Sequence, residues 1–291
     1  MELRRLRYFT AVFAEGSLSR AAEQLRISQP ALTRQIRQLE HELGVAVFER
    51  VPTGVRPTPA GAALNEHAQL VLRLADASRE VARSAGPARE IVRIGLAPGV
   101  PTGWLHRVLG AVRERAPHAD IAFTDASSTD QLRMIREGRL DLGLAHQQPP
   151  SVLAGAGLFE QPFGLAVRPG HALAGTAECR LSDLDGLRVL AHARDQVPTE
   201  HDRLLAAAHH LGVSPVWVFA RFTENALACA EAAGTAAVLL TESSAGRLLP
   251  GWPWSRLVEP PFLMRTWLVR QPVTRAIVER VATVVAGVPV D

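Results

Sequence analysis

The repeat distance of the apolar residues changes once along this chain, near Gly86-Pro87, and that change limits the fold more than any other feature. Before it, apolar residues recur every three or four positions; after it, short β-prone runs alternate with helical segments. A helical module therefore precedes an α/β body. The chain has room for both, since 291 residues exceed one typical domain and a hydrophobic fraction of 47% supplies real cores.

The first 45 residues predict three helices. From Glu2 to Glu15, Leu3, Leu6, Phe9, Val12 and Phe13 stand at helical spacing, and Gly16 ends the run. Ser17 caps a second helix with a buried stripe of Leu18, Ala21, Ala22 and Leu25. Ser28 caps a third, in which Pro30 costs no intrahelical N–H bond because it lies in the first turn, and Gly44 stops it. Leu32, Ile36, Leu39 and Leu43 form its apolar face, while Gln29, Thr33, Arg34 and Arg37 point the other way. Two helices joined by a tight turn, with alanines at their closest approach, suit a helix-turn-helix that places its second helix in the DNA major groove. The polar face has base-reading chemistry, because Arg pairs bidentately with guanine, Gln with adenine, and Thr reaches a methyl or a phosphate. A polar surface helix with no partner is the plain alternative.

The stretch "VAVFERVPTGVRPTPAG" predicts a hairpin turning at Thr53-Gly54, with Arg50 and Arg56 flanking the turn as a basic wing for phosphate or minor groove. Thr58 caps a helix from Pro59 to about Ser84, with Leu64, Ala68, Val71, Ala75 and Ala82 near heptad spacing. At about 1.5 Å per residue it reaches roughly 40 Å, too long for a mere connector. Pairing of this stripe with its copy predicts a homodimer or higher homo-oligomer; packing on the chain's own body is the alternative.

Charge agrees with this division. All 32 basic residues are Arg, which excludes P-loop, Schiff-base and kinase-type lysine chemistry. Residues 1–60 hold nine Arg against six Glu, and the remainder holds 23 Arg against 23 acidic residues, so the net +3 sits in the first fifth of the chain. This is the distribution of a polyanion-binding module on a neutral body. Cys179 and Cys229 are far apart and form no CxxC pair, so neither a disulfide framework nor a metal site is expected. No charged-then-apolar leader and no apolar run of about 18 residues is present, so the expected location is the cytoplasm, with no membrane partner.

The first 65 residues resemble the winged helix-turn-helix of LysR-type transcriptional regulators. Leu6-Arg7-Tyr8-Phe9, Gly16-Ser17, Ala21-Ala22, Leu25, Ser28-Gln29-Pro30-Ala31, Leu39-Glu40, Leu43-Gly44, Phe48-Glu49-Arg50 and Ala60-Gly61 carry the likeness, while Pro52 and Pro57 depart from the usual wing. The expected contacts with double-stranded DNA are Ser28, Gln29, Pro30, Thr33, Arg34 and Arg37 on the helix and Arg50 and Arg56 in the wing, on a pseudo-palindromic operator read by a homodimer or homotetramer.

The body reads as two α/β halves. "IVRIGLA", a helix from Thr102 to Arg115, "DIAFTDA", a helix from Asp130 to Gly138 and "LDLGLA" make the first, with a parallel sheet. "LRVLA", a helix from Glu200 to Leu211, "PVWVFA", a helix from Asn225 to Ala233 and "AAVLL" make the second. "RTWLVRQ" and a helix from Arg275 to Ala286 are expected to return to the first half. Ligands of open α/β sheets bind beyond the strand carboxyl ends, which in two lobes means the cleft. The body resembles the effector-binding domain of the same family, which is similar to periplasmic solute-binding proteins; "REGRLDLGLA" is a typical segment. The expected division is a DNA-binding domain over 1–58, a linker helix over 59–86 and an effector domain over 87–291, with lobe I at about 91–163 and 265–291 and lobe II at about 164–264.

The resemblance places a small-molecule site at Pro98, Gly99 and Thr102 and at Ser127, Ser128 and Thr129, facing His192, Arg194, Thr223 and Asn225. Gly99 stands where many relatives carry Ser or Thr. Hydroxyls and free N–H groups before a helix favour an anion, and Arg194 would hold its carboxylate from the opposite lobe. No cofactor is expected. A solute-binding protein fits the body without the basic module. A hydrolytic enzyme fits less, because no HExxH, GxSxG or paired Cys appears and His209-His210 point about 100° apart on a helix.

Overall fold

A computed structural model of the chain describes residues 2–52, 54–83 and 89–290. These form two compact units, Met1–Glu90 with Arg136–Arg139, and Ile91–Ile135 with Leu140–Asp291.

In the first unit, α1 (Leu3–Glu15), α2 (Leu18–Leu25) and α3 (Gln29–Leu43) precede a hairpin of β1 (Phe48–Val51) and β2 (Gly54–Pro57) and the long α4 (Pro59–Arg83). The helix starts follow local chemistry. The hydroxyls of Ser17 and Ser28 accept the N–H groups of Arg20 and Ala31, both at 3.4 Å, and Gly16 and Gly44 close α1 and α3 in the left-handed conformation. One core joins the helices: Leu6, Phe9, Val12, Ala21, Ala22, Leu32, Ile36, Leu39, Val47 and Ala68 are all buried. A partly exposed ion pair, Arg5 with Glu42, ties the start of α1 to the end of α3. It lowers the Glu42 carboxyl pKa, chiefly through its hydrogen bond.

The wing is docked from both sides. Glu40 Oε1 accepts the N–H groups of Val47 and Phe48 at 2.9 and 3.2 Å, and the Val55 N–H donates to the Gly16 carbonyl at 3.0 Å. Gly54 has φ 142°, and a Cβ there would lie 2.4 Å from the Gly16 carbonyl oxygen, so only glycine fits that approach. Thr58 caps α4, accepting the Gly61 N–H at 3.0 Å and donating to the Ala46 carbonyl at 2.8 Å. The expected heptad stripe divides: Ala68 is buried and Leu64 half-buried against the first unit's own core, whereas Val71 and Leu74 are exposed. Thr53, Ser84, Gly86, Pro87 and the Ala82 side chain lie outside the described residues.

The second unit contains one ten-stranded sheet with its main path β4-β3-β5-β12-β6-β10-β8-β9. The strands are β3 (Glu90–Leu96), β4 (Ala119–Asp125), β5 (Leu142–Ala145), β6 (Ala154–Val167), β7 (Glu178–Arg180), β8 (Arg188–His192), β9 (Val216–Ala220), β10 (Ala237–Thr241), β11 (Trp254–Glu259) and β12 (Leu263–Arg270). Helices α5 (Thr102–Arg115), α6 (Ser128–Arg136), α7 (Pro198–His210), α8 (Ala226–Ala232), α9 (Glu242–Leu248) and α10 (Ala276–Ala286) cover it. β3 runs parallel to β5, and β8 parallel to both β9 and β10. The long β6 joins the halves, pairing with β12 from Ala154 to Pro162 and with β10 from Phe163 to Val167, both antiparallel. Each lobe keeps its own core: Trp104, Val108, Val112, Val281 and Val285 in the first, with α5 against α10, and Phe163, Leu165, Leu181, Leu204 and Phe262 in the second.

Several expected bounds move. The helix expected from Asp130 to Gly138 is Ser128–Arg136, because Ser127 rather than a later residue caps it, and the helix expected from Glu200 begins at Pro198. The helices expected from Asn225 and Arg275 begin one residue later, those residues being their caps. β6, β7, α9 and β11 had no counterpart in the sequence reading. Among the described residues no helix is long and apolar enough to cross a membrane, and no cluster of three His, Cys, Asp or Glu could hold a metal.

Candidate functional site

The exposed face of α3 carries most of the expected nucleic-acid contacts together. Ser28, Gln29, Pro30, Arg34 and Arg37 are exposed, and Thr33 is half-buried with an orphaned hydroxyl. Arg34 and Arg37 have no ion-pair or hydrogen-bond partner among the described residues, and neither has Arg50 in β1, so three guanidinium groups are free for acceptors. Arg56 in β2 is different: its Nε lies 2.7 Å from Glu49 Oε1 across the hairpin, an exposed pair worth little in water. The arrangement puts a helix beside a basic hairpin, with Glu40 tying the end of α3 to the start of β1 and the Arg5–Glu42 pair tying α1 to α3. The Arg5–Glu42 pair spans 37 residues, so the sequence carries no local pattern for it.

In the second unit, the loops after β3, β4, β5 and β8 meet where the lobes face each other. Ser128, in the first turn of α6, is fully buried. Its hydroxyl accepts the His146 N–H at 3.0 Å and donates to the Gln196 carbonyl, in the opposite lobe, at 2.6 Å. The Thr129 N–H donates to the Asp195 carbonyl at 3.2 Å, a second bond between the lobes. Ser127 instead caps α6, accepting the Asp130 N–H at 3.1 Å and donating to its carboxylate at 2.9 Å; the hydrogen bond from Arg133 and then that from the Ser127 hydroxyl lower the Asp130 pKa.

His146 faces the Pro98 carbonyl with Nε2 at 2.7 Å and the Thr266 hydroxyl with Nδ1 at 3.2 Å. The Gln161 amide donates to the Gly99 carbonyl at 3.0 Å, so β6 and β5 hold the loop after β3 from two sides. Gly99 has φ 96°, and a Cβ there would meet the Met264 methyl at 2.9 Å, which explains glycine at this position. From the other lobe, His192 stacks on Phe222 at 4.1 Å and faces the Gln196 side chain at 3.2 Å. Gln196 also spans the Phe222 carbonyl and N–H at 3.1 and 3.2 Å. Burial lowers the pKa of both His146 and His192 to about 4, so both are neutral at pH 7.

The structure thus brings Pro98, Gly99, Ser128, Thr129 and His192 into one polar, uncharged wall. Thr102, Thr223 and Asn225 are exposed or half-exposed at its margins. Arg194, expected to hold an anion from the second lobe, instead gives its fork to Asp202 through two 2.7 Å bonds at an exposed site. Sequence reasoning missed His146, Gln161, Gln196 and Thr266. Their only signal was a polar residue inside or just beyond an apolar run.

Comparison with known proteins matches residues 3–62 to the family described as "Bacterial regulatory helix-turn-helix protein, lysR family" and residues 85–284 to "LysR substrate binding domain". The chain is 31% identical over 259 residues to the nitrogen assimilation regulatory protein nac of Klebsiella aerogenes, covering 85% of this chain and 81% of that one. It is 30% identical over 264 residues to the HTH-type transcriptional regulator TcbR of Pseudomonas sp. (strain P51), covering 89% and 88%. Among solved structures, full-length CbnR in complex with its target DNA superposes with TM-score 0.67 at 25% identity, covering 98% and 99% of the two chains.

Proposed function

The chain belongs to the LysR family of bacterial DNA-binding transcriptional regulators, and from that premise we propose which of its residues read DNA and where its effector acts. The observation that carries the DNA reading is the exposed row Gln29, Arg34 and Arg37 on a helix whose opposite face is the core of its own module. Arg34 and Gln29 make base contacts, and Arg50 and Arg56 take phosphate, since the hairpin presents them beside the helix. The division 1–58, 59–86 and 87–291 assigns DNA binding, dimerisation and effector sensing to successive segments. Val71 and Leu74, apolar and exposed on α4, form the dimer seam, and two recognition helices about 34 Å apart then call for a pseudo-palindromic operator. The protein acts in the cytoplasm.

A small-molecule effector binds between the lobes, against the Pro98–Gly99 loop, Ser128–Thr129 and His192. Its binding competes with or reinforces the Ser128–Gln196 and Thr129–Asp195 bonds, so it changes the angle at which the lobes close and hence the spacing of the DNA modules in the oligomer. Arg194 takes part with a carboxylate only if its fork leaves Asp202. The test is genome-wide mapping of bound DNA followed by anisotropy on the recovered sites. Preference for a dyad over random duplex, lost in Arg34→Ala, supports the reading; equal binding of all duplexes refutes it.

A further inference from the structure

Two grooves flank the exposed row of α3, one on each side. On the wing side, Thr33 and Arg37 face Glu49 and Arg50 across about 70 Å3. On the other side, Ala31, Arg34 and Gln35 face Arg4 and Tyr8 of α1 across about 220 Å3 that is open to solvent, with Ile27 of the turn at one end. Helical spacing makes this division: residues 31, 34 and 35 share one flank, residues 33, 37 and 40 share the other, and Leu32, Ile36 and Leu39 take the core. The two grooves differ in charge. The wing-side groove contains the carboxylates of Glu40 and Glu49, whereas the α1-side groove is lined by two guanidinium groups and a phenol and by no acid. Arg34 has no partner among the described residues, and Arg4 meets Glu2 at 3.5 Å in an exposed pair that water screens. The Tyr8 ring packs on the core of the unit, and its hydroxyl makes no hydrogen bond among the described residues.

Resting on the assignment of α3 to the major groove, we propose that the α1-side groove holds a backbone phosphate of the DNA strand opposite the one held by the wing. The Arg4 guanidinium and the Tyr8 hydroxyl donate to its oxygens. The major groove is about 12 Å wide and a helix with its side chains about 10–12 Å across, so a seated α3 has one sugar-phosphate backbone along each flank. The wing covers one flank with Arg50. On the other flank Arg34 is turned to the bases, which leaves Arg4 and Tyr8 to meet the second backbone. Gripping both strands fixes the depth and roll of the helix, and phosphate contacts that do so carry no sequence information themselves.

The test titrates the full chain into a random-sequence duplex and into the operator recovered by mapping, by anisotropy over a range of NaCl. Arg4→Gln should weaken both about tenfold and reduce the slope of log K against log salt by about one per bound protomer. Tyr8→Phe, which keeps the ring on the core, should weaken both roughly fivefold and leave the slope unchanged, because a neutral donor releases no counterion. Arg113→Gln, an equal loss of charge in α5 of the second unit, should change neither. In operator carrying one methylphosphonate at a time, a single position per half-site should cost the wild type about tenfold and Arg4→Gln nothing. Unchanged affinity in Arg4→Gln or Tyr8→Phe, an equal loss in Arg113→Gln, or a methylphosphonate cost that Arg4→Gln does not remove overturns the proposal. The random-duplex measurements do not depend on base reading. An Arg34→Ala variant that keeps its operator-to-random ratio therefore sinks the base contacts alone, whereas a wild type that binds no duplex sinks both.

Discussion

Replacing Ser128 by alanine should destabilise the second unit far more than replacing its neighbour Ser127. The Ser128 hydroxyl is fully buried and makes two bonds, at 2.6 Å to the Gln196 carbonyl and at 3.0 Å from the His146 N–H. Alanine leaves one buried acceptor and one buried donor unmet, at about 1–3 kcal/mol each. Gln196 and His146 are 5% and 1% exposed, so water cannot easily take the place of the hydroxyl, and a total of about 2–6 kcal/mol follows. In a unit of roughly 200 residues each kcal/mol moves the melting point by about 2–4 °C, so a fall of roughly 4–24 °C is expected. Ser127→Ala removes only a helix cap, about 1 kcal/mol and roughly 2–4 °C. Scanning calorimetry of the full chain resolves the two variants. Equal losses, or a smaller loss for Ser128→Ala, would refute the argument that this hydroxyl clasps the lobes.

Arg34→Ala should cost about 1–3 kcal/mol of operator binding and lower the operator-to-random ratio, whereas Arg56→Ala should weaken all duplexes alike; anisotropy that shows an unchanged ratio for Arg34→Ala rules out base reading. Val71→Asp should convert the oligomer to monomer by light scattering, because charge would be buried in the seam, and persistence of the dimer places the seam elsewhere. Gly54→Ala drives a Cβ to 2.4 Å from the Gly16 carbonyl, so the first unit should lose about 2 kcal/mol or more in urea melts, and a neutral result contradicts the docked wing. Glu200 holds its proton more tightly when folded, with a pKa of about 7 against 4.5, so its contribution is present below about pH 4.5 and is lost as pH rises through 7. Glu200→Gln should therefore gain stability over the wild type by up to about 3 kcal/mol between pH 4.5 and 8, and a pH-independent difference between the two would refute this.

The first module was legible almost residue by residue because its signals are local. Ser17, Ser28, Gly16 and Gly44 act on N–H and C=O groups within four residues, and the apolar faces of α1 to α3 are set by spacing alone. β6 was not legible: "AGAGLFEQPFGLAV" contains Pro162 and three glycines, which read as strand breakers. It is nevertheless a strand because Pro162 falls where the partner changes from β12 to β10, a position where neither ladder continues on both sides.

The sequence by itself determined the order of modules, the faces of the helices, the concentration of positive charge at one end and the absence of lysine chemistry, since periodicity, caps and counts need no knowledge of distant partners. Only the tertiary structure separated Ser127 from Ser128, gave Arg194 to Asp202, placed neutral His146 and His192 at the cleft and left Glu200 Oε2 without a donor. Each of these depends on which group, often tens of residues away, shares a low-dielectric space with the side chain, and desolvation and hydrogen bonding there decide its charge and its availability.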